Sequence, residues 1–291
     1  MTTIETPRHR SELHLPYGSA ADGPDLVTVT PERAGWSHAG LRVVELLPGQ
    51  RVELETGECE YAILPLSGGA VTVETGGERY ELPARVSVFA RPSGFVYVGR
   101  EQEVALSSED GAILALPHAG ARRNIAAYAV SAAEVSVEIR GAGSATRQLN
   151  NFLSPDGFEA DRLTAVEVIT PRGNWSSYPP HKHDVDNPPV EVDLEEVYYY
   201  RMKQPDGYGF QRLYTADGSR DATLKVEDGD VVLIRDGYHP YVSAYGVDSY
   251  YLNVLAGTRR SMAASDDPRY APLRASWPPP DPRVPVVPRP I

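Results

Sequence analysis

Cysteine is nearly absent: Cys59 is the single one in 291 residues. That excludes an internal disulfide framework and a cysteine-rich zinc site, and leaves Cys59 as an ordinary thiol. Long apolar runs are also missing. No stretch approaches the roughly 18 residues that a membrane helix needs, and the start, Met1 to Arg10, lacks the apolar centre of a secretory leader. Basic charge is scarce, with 28 Lys and Arg against 40 Asp and Glu and a net charge of -12. A nucleic-acid or membrane partner, which wants basic patches, is thereby disfavoured. The remaining expectation is a cytoplasmic globular protein acting on a small molecule, with a homo-oligomer left open. An anionic substrate stays compatible with the acidic balance, because it needs only a local basic residue.

Helical periodicity is scarce as well. Short runs rich in Val, Ile, Tyr and Leu recur instead, such as Leu41 to Leu47, Tyr61 to Leu66, Thr164 to Ile169 and Ser249 to Leu255. Turn signals separate them: Pro48-Gly49, Gly68-Gly69, Gly76-Gly77, Asp217-Gly218 and Asp228-Gly229. This pattern predicts an all-β sandwich or barrel.

Aligned halves show a weak internal repeat. Leu47-Pro48-Gly49 matches Ile169-Thr170-Pro171-Arg172-Gly173, Glu60-Tyr61 echoes Glu196-Val197-Tyr198, and Val86 to Gly94 matches Val231 to Gly237. The expected division is 1–135 for a first β domain, 136–275 for a second, and 276–291 for a proline-rich tail. Proline lacks an N–H and fixes φ, so the tail is either an extended strap or a disordered end.

Chemistry concentrates in the second copy. His181 and His183 are two apart in Tyr178-Pro179-Pro180-His181-Lys182-His183-Asp184, so a strand would point both to one face and Lys182 to the other. Glu196 opens the run Val197-Tyr198-Tyr199-Tyr200, and His239 precedes a strand-like stretch. Three neutral imidazoles and one carboxylate make a metal site with coordination positions left open, as a Lewis-acid catalyst requires. The first copy has no His-x-His, so any metal belongs to the second. His9, His14, His38 and His118 read as structural or exposed. Tyrosines outnumber phenylalanines 17 to 5, which fits a pocket lined by aromatics with polar ends.

Gly173, His181-x-His183 and Glu196, then Gly229, Arg235, Gly237 and His239, resemble the two motifs of the cupin superfamily. That resemblance implies two tandem jelly-roll barrels, a bicupin, with one divalent ion on three histidines and a glutamate. The insert Asp184 to Pro189 lengthens the spacing between His183 and the glutamate, which leaves Glu195 or Glu196 as ligand; Glu196 is preferred because an apolar strand residue, Val197, follows it directly. The longer strings Ser177 to Asp184, Leu194 to Tyr200, Gly207 to Thr215 and Tyr250 to Gly257 resemble the 5-deoxy-glucuronate isomerase family of bacterial myo-inositol catabolism. The likeness implies an aldose–ketose isomerisation of 5-deoxy-D-glucuronate to 5-dehydro-2-deoxy-D-gluconate through an enediolate chelated by Zn²⁺ or Mn²⁺. Glu195, Tyr198 and Tyr251 are the candidate proton carriers. Arg212, beside Gln211, is the candidate partner for the substrate's carboxylate, since a planar guanidinium suits that group. The alternatives are the sister ketol-isomerase of pectin breakdown, an iron-dependent cupin dioxygenase, and a non-catalytic sugar-binding bicupin.

Overall fold

Alternating side chains set the sheets. In Asp25–Val29, Val71–Thr75 and Asp221–Glu227, buried residues alternate with more exposed ones, as in strands with one face toward a core. Thr164–Thr170 and Ser249–Gly257 are buried at every position, so both of their faces are covered. The computed structural model describes residues 13–288; His9 lies outside them.

Two β barrels result. The first joins a six-stranded sheet, in the order Tyr128–Val130, Phe95–Val98, Cys59–Gly68, Ala112–Gly120, Ala39–Leu46 and Asp25–Val29, to a four-stranded sheet. The second joins a seven-stranded sheet to the four-stranded sheet Trp175–Ser176, Tyr241–Ser243, Tyr208–Tyr214 and Asp221–Glu227. At the centre of the seven-stranded sheet, Ser249–Gly257 lies between Leu194–Met202 and Thr164–Thr170, and Arg147–Leu153 follows. Strand pairing passes from the first barrel to the second between Val130 and Ser136. The short strand His14–Leu15 departs from that division. It pairs with Val231–Ile234 of the second barrel, and the His14 ring contacts Asp230 at 2.8 Å. The all-β double barrel expected from the cupin resemblance is the architecture found.

Three large apolar cores and a small fourth cluster form among the described residues. One fills each barrel, with Val44, Ile63 and Leu114 in the first and Val166, Tyr198 and Tyr251 in the second. The third joins the two large sheets back to back through residues such as Val43, Leu64, Val197 and Leu252. Carboxylates lock this junction. Glu60 accepts the backbone N–H groups of Asp161, Arg162 and Leu163 at 2.6–2.7 Å. Glu195 accepts those of Ser37, His38 and Ala39 at 2.6–2.8 Å. Each barrel thus clamps three successive amides of the other. Register confirms the equivalence, since Glu60 faces Ala119 as Glu195 faces Ala256. The sequence echo of Glu60 with Glu196 is therefore corrected by one residue: Glu60 matches Glu195, and Tyr61 stands where the second barrel has Glu196.

His118 is buried in the first barrel, stacked on Tyr61 at 4.7 Å between centroids. Gly40 makes room for it, because a Cβ there would come within 2.1 Å of the His118 ring. Burial holds the imidazole neutral down to about pH 4. The unfolded chain takes up this proton near pH 6.5, so stability falls as pH drops from 6.5 toward 4, by on the order of 3 kcal/mol. His118→Phe should flatten that part of the profile, as measured by denaturant unfolding at pH 7.5 and pH 5; an unchanged slope would count against a buried neutral ring.

The proline-rich tail is a strap as far as Pro288. The N–H of Gly143 donates to Pro279 O at 3.0 Å, and Gln148 holds both the N–H and the C=O of the buried Val287, at 2.9 and 3.0 Å.

Candidate metal centre and its cavity

Two strands, the residue that follows one of them and a turn carry the candidate donors: His183 comes directly after the strand of His181. His181 lies on the short strand His181–Lys182, paired with Ser265–Asp266. Glu196 projects inward from Leu194–Met202. Gly237, at φ 78, turns the chain into His239 at a point where a Cβ would meet Tyr214 O at 2.5 Å. One donor atom from each of His183, Glu196 and His239 fits within a 4.8 Å spread. His183 Nε2 is 3.0 Å and His239 Nε2 3.3 Å from Glu196 Oε2. His181 stands beside this trio, its ring centroid 4.7 Å from that of His239. Glu196 is 1% exposed and His239 0%.

Outer contacts orient the rings. Nδ1 of His183 faces Leu194 O at 3.0 Å, that of His239 faces Gly237 O at 3.2 Å, and that of His181 faces Pro179 O at 3.3 Å. A carbonyl at Nδ1 keeps the proton there and leaves Nε2 a lone pair. Burial presses His181 and His239 to about 3, so both stay neutral. At His183 burial also pushes down, but the Glu196 carboxylate outweighs it and raises the ring. Burial raises Glu196, and the facing His239 and His183 bring it net below its usual range. His239 Nε2 is buried without a hydrogen-bond partner among the described residues. An orphaned lone pair beside a buried carboxylate and two further imidazoles fits a divalent cation.

The insert after His183 braces the centre. Asp184 accepts the Gly237 N–H at 2.8 Å, so the residue following one candidate ligand holds the turn that carries another. Lys182 points away and pairs with Asp184 and Glu191, as strand alternation predicts.

Tyrosines wall the cavity. Tyr198 and Tyr251 stack at 4.2 Å between centroids. The Tyr251 hydroxyl lies 2.6 Å from Ser176 Oγ, and Ser177 Oγ lies 2.9 Å from the Tyr198 hydroxyl and 3.3 Å from that of Tyr251. Ser177 holds a left-handed backbone, φ 50, that places its hydroxyl between the two phenols. Asn253 lines the same cavity with a buried, unpartnered Oδ1. Arg147 and Arg140 line it too. Sequence patterns singled out none of Ser176, Ser177, Asn253 or Arg147. Strand alternation alone carried their signal, and it does not say which face looks inward.

Three sequence expectations change. Glu195 faces the first barrel, its carboxylate occupied by the three amides of residues 37–39, and this removes it from the proton carriers and from the ligands. Arg212 lies on the outer face of its sheet, paired with Asp221 at 2.7 Å and resting on the Tyr214 ring, away from the cavity. Gln211 does face inward, but its amide is used up on the protein: Nε2 donates to the carbonyls of His239 and Pro240, and Oε1 accepts from the Tyr200 hydroxyl at 2.6 Å. Gln211 therefore supports His239 rather than a substrate.

Comparison with known proteins agrees with this architecture. The model of the KduI/IolB family matches residues 14–273. A 5-deoxy-glucuronate isomerase of Geobacillus kaustophilus is 42% identical over 260 residues, covering 89% of this chain and 94% of its own. Its counterpart in Bacillus subtilis subsp. natto is 35% identical over 243 residues, covering 83% and 90%. Among solved structures, an IolB-like protein from Salmonella typhimurium LT2 superposes with a TM-score of 0.85 at 33% identity, covering 90% of this chain and 99% of that one. The oxalate decarboxylase of Lactobacillus farciminis shares the fold, with a TM-score of 0.64 at 12% identity over 96% of this chain and 92% of its own.

Proposed function

The chain belongs to the KduI/IolB family, and from that premise we propose that it isomerises 5-deoxy-D-glucuronate to 5-dehydro-2-deoxy-D-gluconate, with a divalent metal, in the cytoplasm. One observation carries the reading: His183, Glu196 and His239 converge, and beside them His181, His183 and Glu196 line a cavity shared with the hydroxyls of Ser177, Tyr198 and Tyr251. The names of the relatives support the substrate.

His183, Glu196 and His239 would hold the ion, Zn²⁺ or Mn²⁺, with His181 adjoining. Such an ion supplies Lewis-acid polarisation of a carbonyl and its neighbouring hydroxyl. As the C2 proton moves to C1, the O2 proton must move to O1, and the protein's own task here is that second transfer with water kept out. Tyr198 and Tyr251 are placed for this task. Their hydroxyls are linked through Ser177, and Ser176 extends the chain. That chain passes protons between neighbouring oxygens of a bound sugar without opening the cavity to solvent. Stacking of the two rings fixes both phenols in place.

The test is isomerisation of 5-deoxy-glucuronate before and after EDTA, followed by addition of Zn²⁺ or Mn²⁺. Activity should disappear with the chelator and return with one of the metals, which identifies the ion. Full turnover in the chelated protein would overturn the metal-dependent mechanism. Turnover of the pectin-derived 4-deoxy-5-hexosulose-uronate in place of 5-deoxy-glucuronate would overturn the substrate.

A further inference from the structure

We propose that the Arg147 guanidinium binds the carboxylate of the substrate and thereby fixes which end of the sugar acid meets the metal centre. The proposal rests on the isomerase reading above.

Register places Arg147 on the inward face. Leu149 pairs with Val168, and Val168 with Tyr251, so these three share a face of the large sheet. Arg147, two residues before Leu149, shares it too. Arg147 is 7% exposed. Nη1 donates to Ala145 O and Tyr178 O, both at 3.2 Å, while Nε and Nη2 make no hydrogen bond among the described residues. No described carboxylate forms an ion pair with it.

A buried cation without a counter-ion is costly and calls for an anion. Other cations near the mouth are already matched. Arg140, which lines the same cavity, is held by Glu138 at 2.8 Å, and Lys182, between the histidines, by Asp184 and Glu191. Arg85, a fully buried arginine at the junction of the barrels, has Glu167. Arg147 is left with two donor groups of its planar fork unspent, facing the cavity that holds the metal ligands. Bidentate capture of a carboxylate is what that geometry serves best.

Distance suits the ligand. Three strand spacings, roughly 14 Å, separate the strand of Glu196 from that of Arg147. Barrel curvature and the long arginine side chain shorten this gap toward the length of an extended six-carbon acid. With the carboxylate at Arg147, the carbonyl end reaches the histidines; the reversed orientation would leave the cation unmatched.

The test compares Arg147→Gln and Arg147→Lys with the wild type on 5-deoxy-glucuronate and on its analogue with the carboxylate reduced to an alcohol. Arg147→Gln should lower kcat/KM for the acid by roughly 10–100-fold, the range of charged hydrogen bonds, and leave that for the alcohol within about threefold. Arg147→Lys should fall between the two. Calorimetry with D-gluconate and uncharged D-glucitol repeats the comparison without turnover: preference for the acid should vanish in Arg147→Gln. Equal losses for acid and alcohol, or an undiminished preference for gluconate, would overturn the proposal. Transfer of the preference to an Arg140→Gln variant would do the same. If the wild type fails to isomerise the uronate at all, the isomerase reading falls, and the gluconate comparison still judges Arg147.

Discussion

Replacing His239 with Ala is expected to lower kcat/KM for 5-deoxy-glucuronate on the order of 10³-fold and to deplete the protein of its divalent ion. Polarisation of a carbonyl by a metal is worth several kcal/mol, and each 1.36 kcal/mol is tenfold in rate. His239 has the largest expected effect because its Nε2, 3.3 Å from Glu196 Oε2, is buried and makes no hydrogen bond among the described residues. Its removal should leave the fold in place, since the supporting bonds of Gln211 run to the backbone carbonyls of His239 and Pro240 and not to the ring. His183→Ala should behave alike, although it also frees Leu194 O from its contact with Nδ1. Metal content by plasma emission, far-UV circular dichroism and turnover separate the outcomes. A folded, metal-depleted variant with wild-type turnover would refute the catalytic assignment.

Replacing Arg85 with Met should cost about 3–5 kcal/mol of stability, the usual penalty for stranding a buried partner. Arg85 comes from the first barrel and Glu167 from the second; both side chains are fully buried, and they meet at 2.7 and 3.1 Å. Two more donors complete the carboxylate: Asn150 Nδ2 at 2.9 Å and the Tyr250 hydroxyl at 3.1 Å. All the acceptor positions of Glu167 are thus in use, and half of them belong to Arg85. Asn150 and Tyr250 remain in the variant but are neutral, so they cannot balance the stranded charge. The double variant Arg85→Met/Glu167→Leu should recover most of the loss, because an apolar pair of similar volume removes the unmatched charge. Denaturant unfolding of the two single variants and the double variant gives the coupling. Additive losses would show that the two groups do not act as a pair.

The site was legible in the sequence where alternation fixes a face. His181 and His183, two apart, turn toward one centre, and Lys182 between them turns away to Asp184 and Glu191. The same rule separates Glu195 from Glu196 and Arg212 from Gln211. It says that neighbours oppose each other, not which of them looks inward. Glu195 was a candidate proton carrier because nothing local shows that the amides of residues 37–39, over 150 positions earlier, take its carboxylate. Arg147 carries no local signal, for the converse reason. An arginine in a strand reads as surface until the surrounding sheet buries it without a carboxylate.

Periodicity and turn residues by themselves determined an all-β chain, and the placing of histidines pointed to the second half for candidate donors, because these are properties of neighbouring residues. Tertiary structure decided the rest: which faces became interiors, how Glu60 and Glu195 clamp opposite barrels, and where an unmatched cation sits in the cavity. The physical reason is the range of the forces involved. Strand geometry repeats every two residues, whereas burial and charge balance are set by groups that only the folded chain brings together.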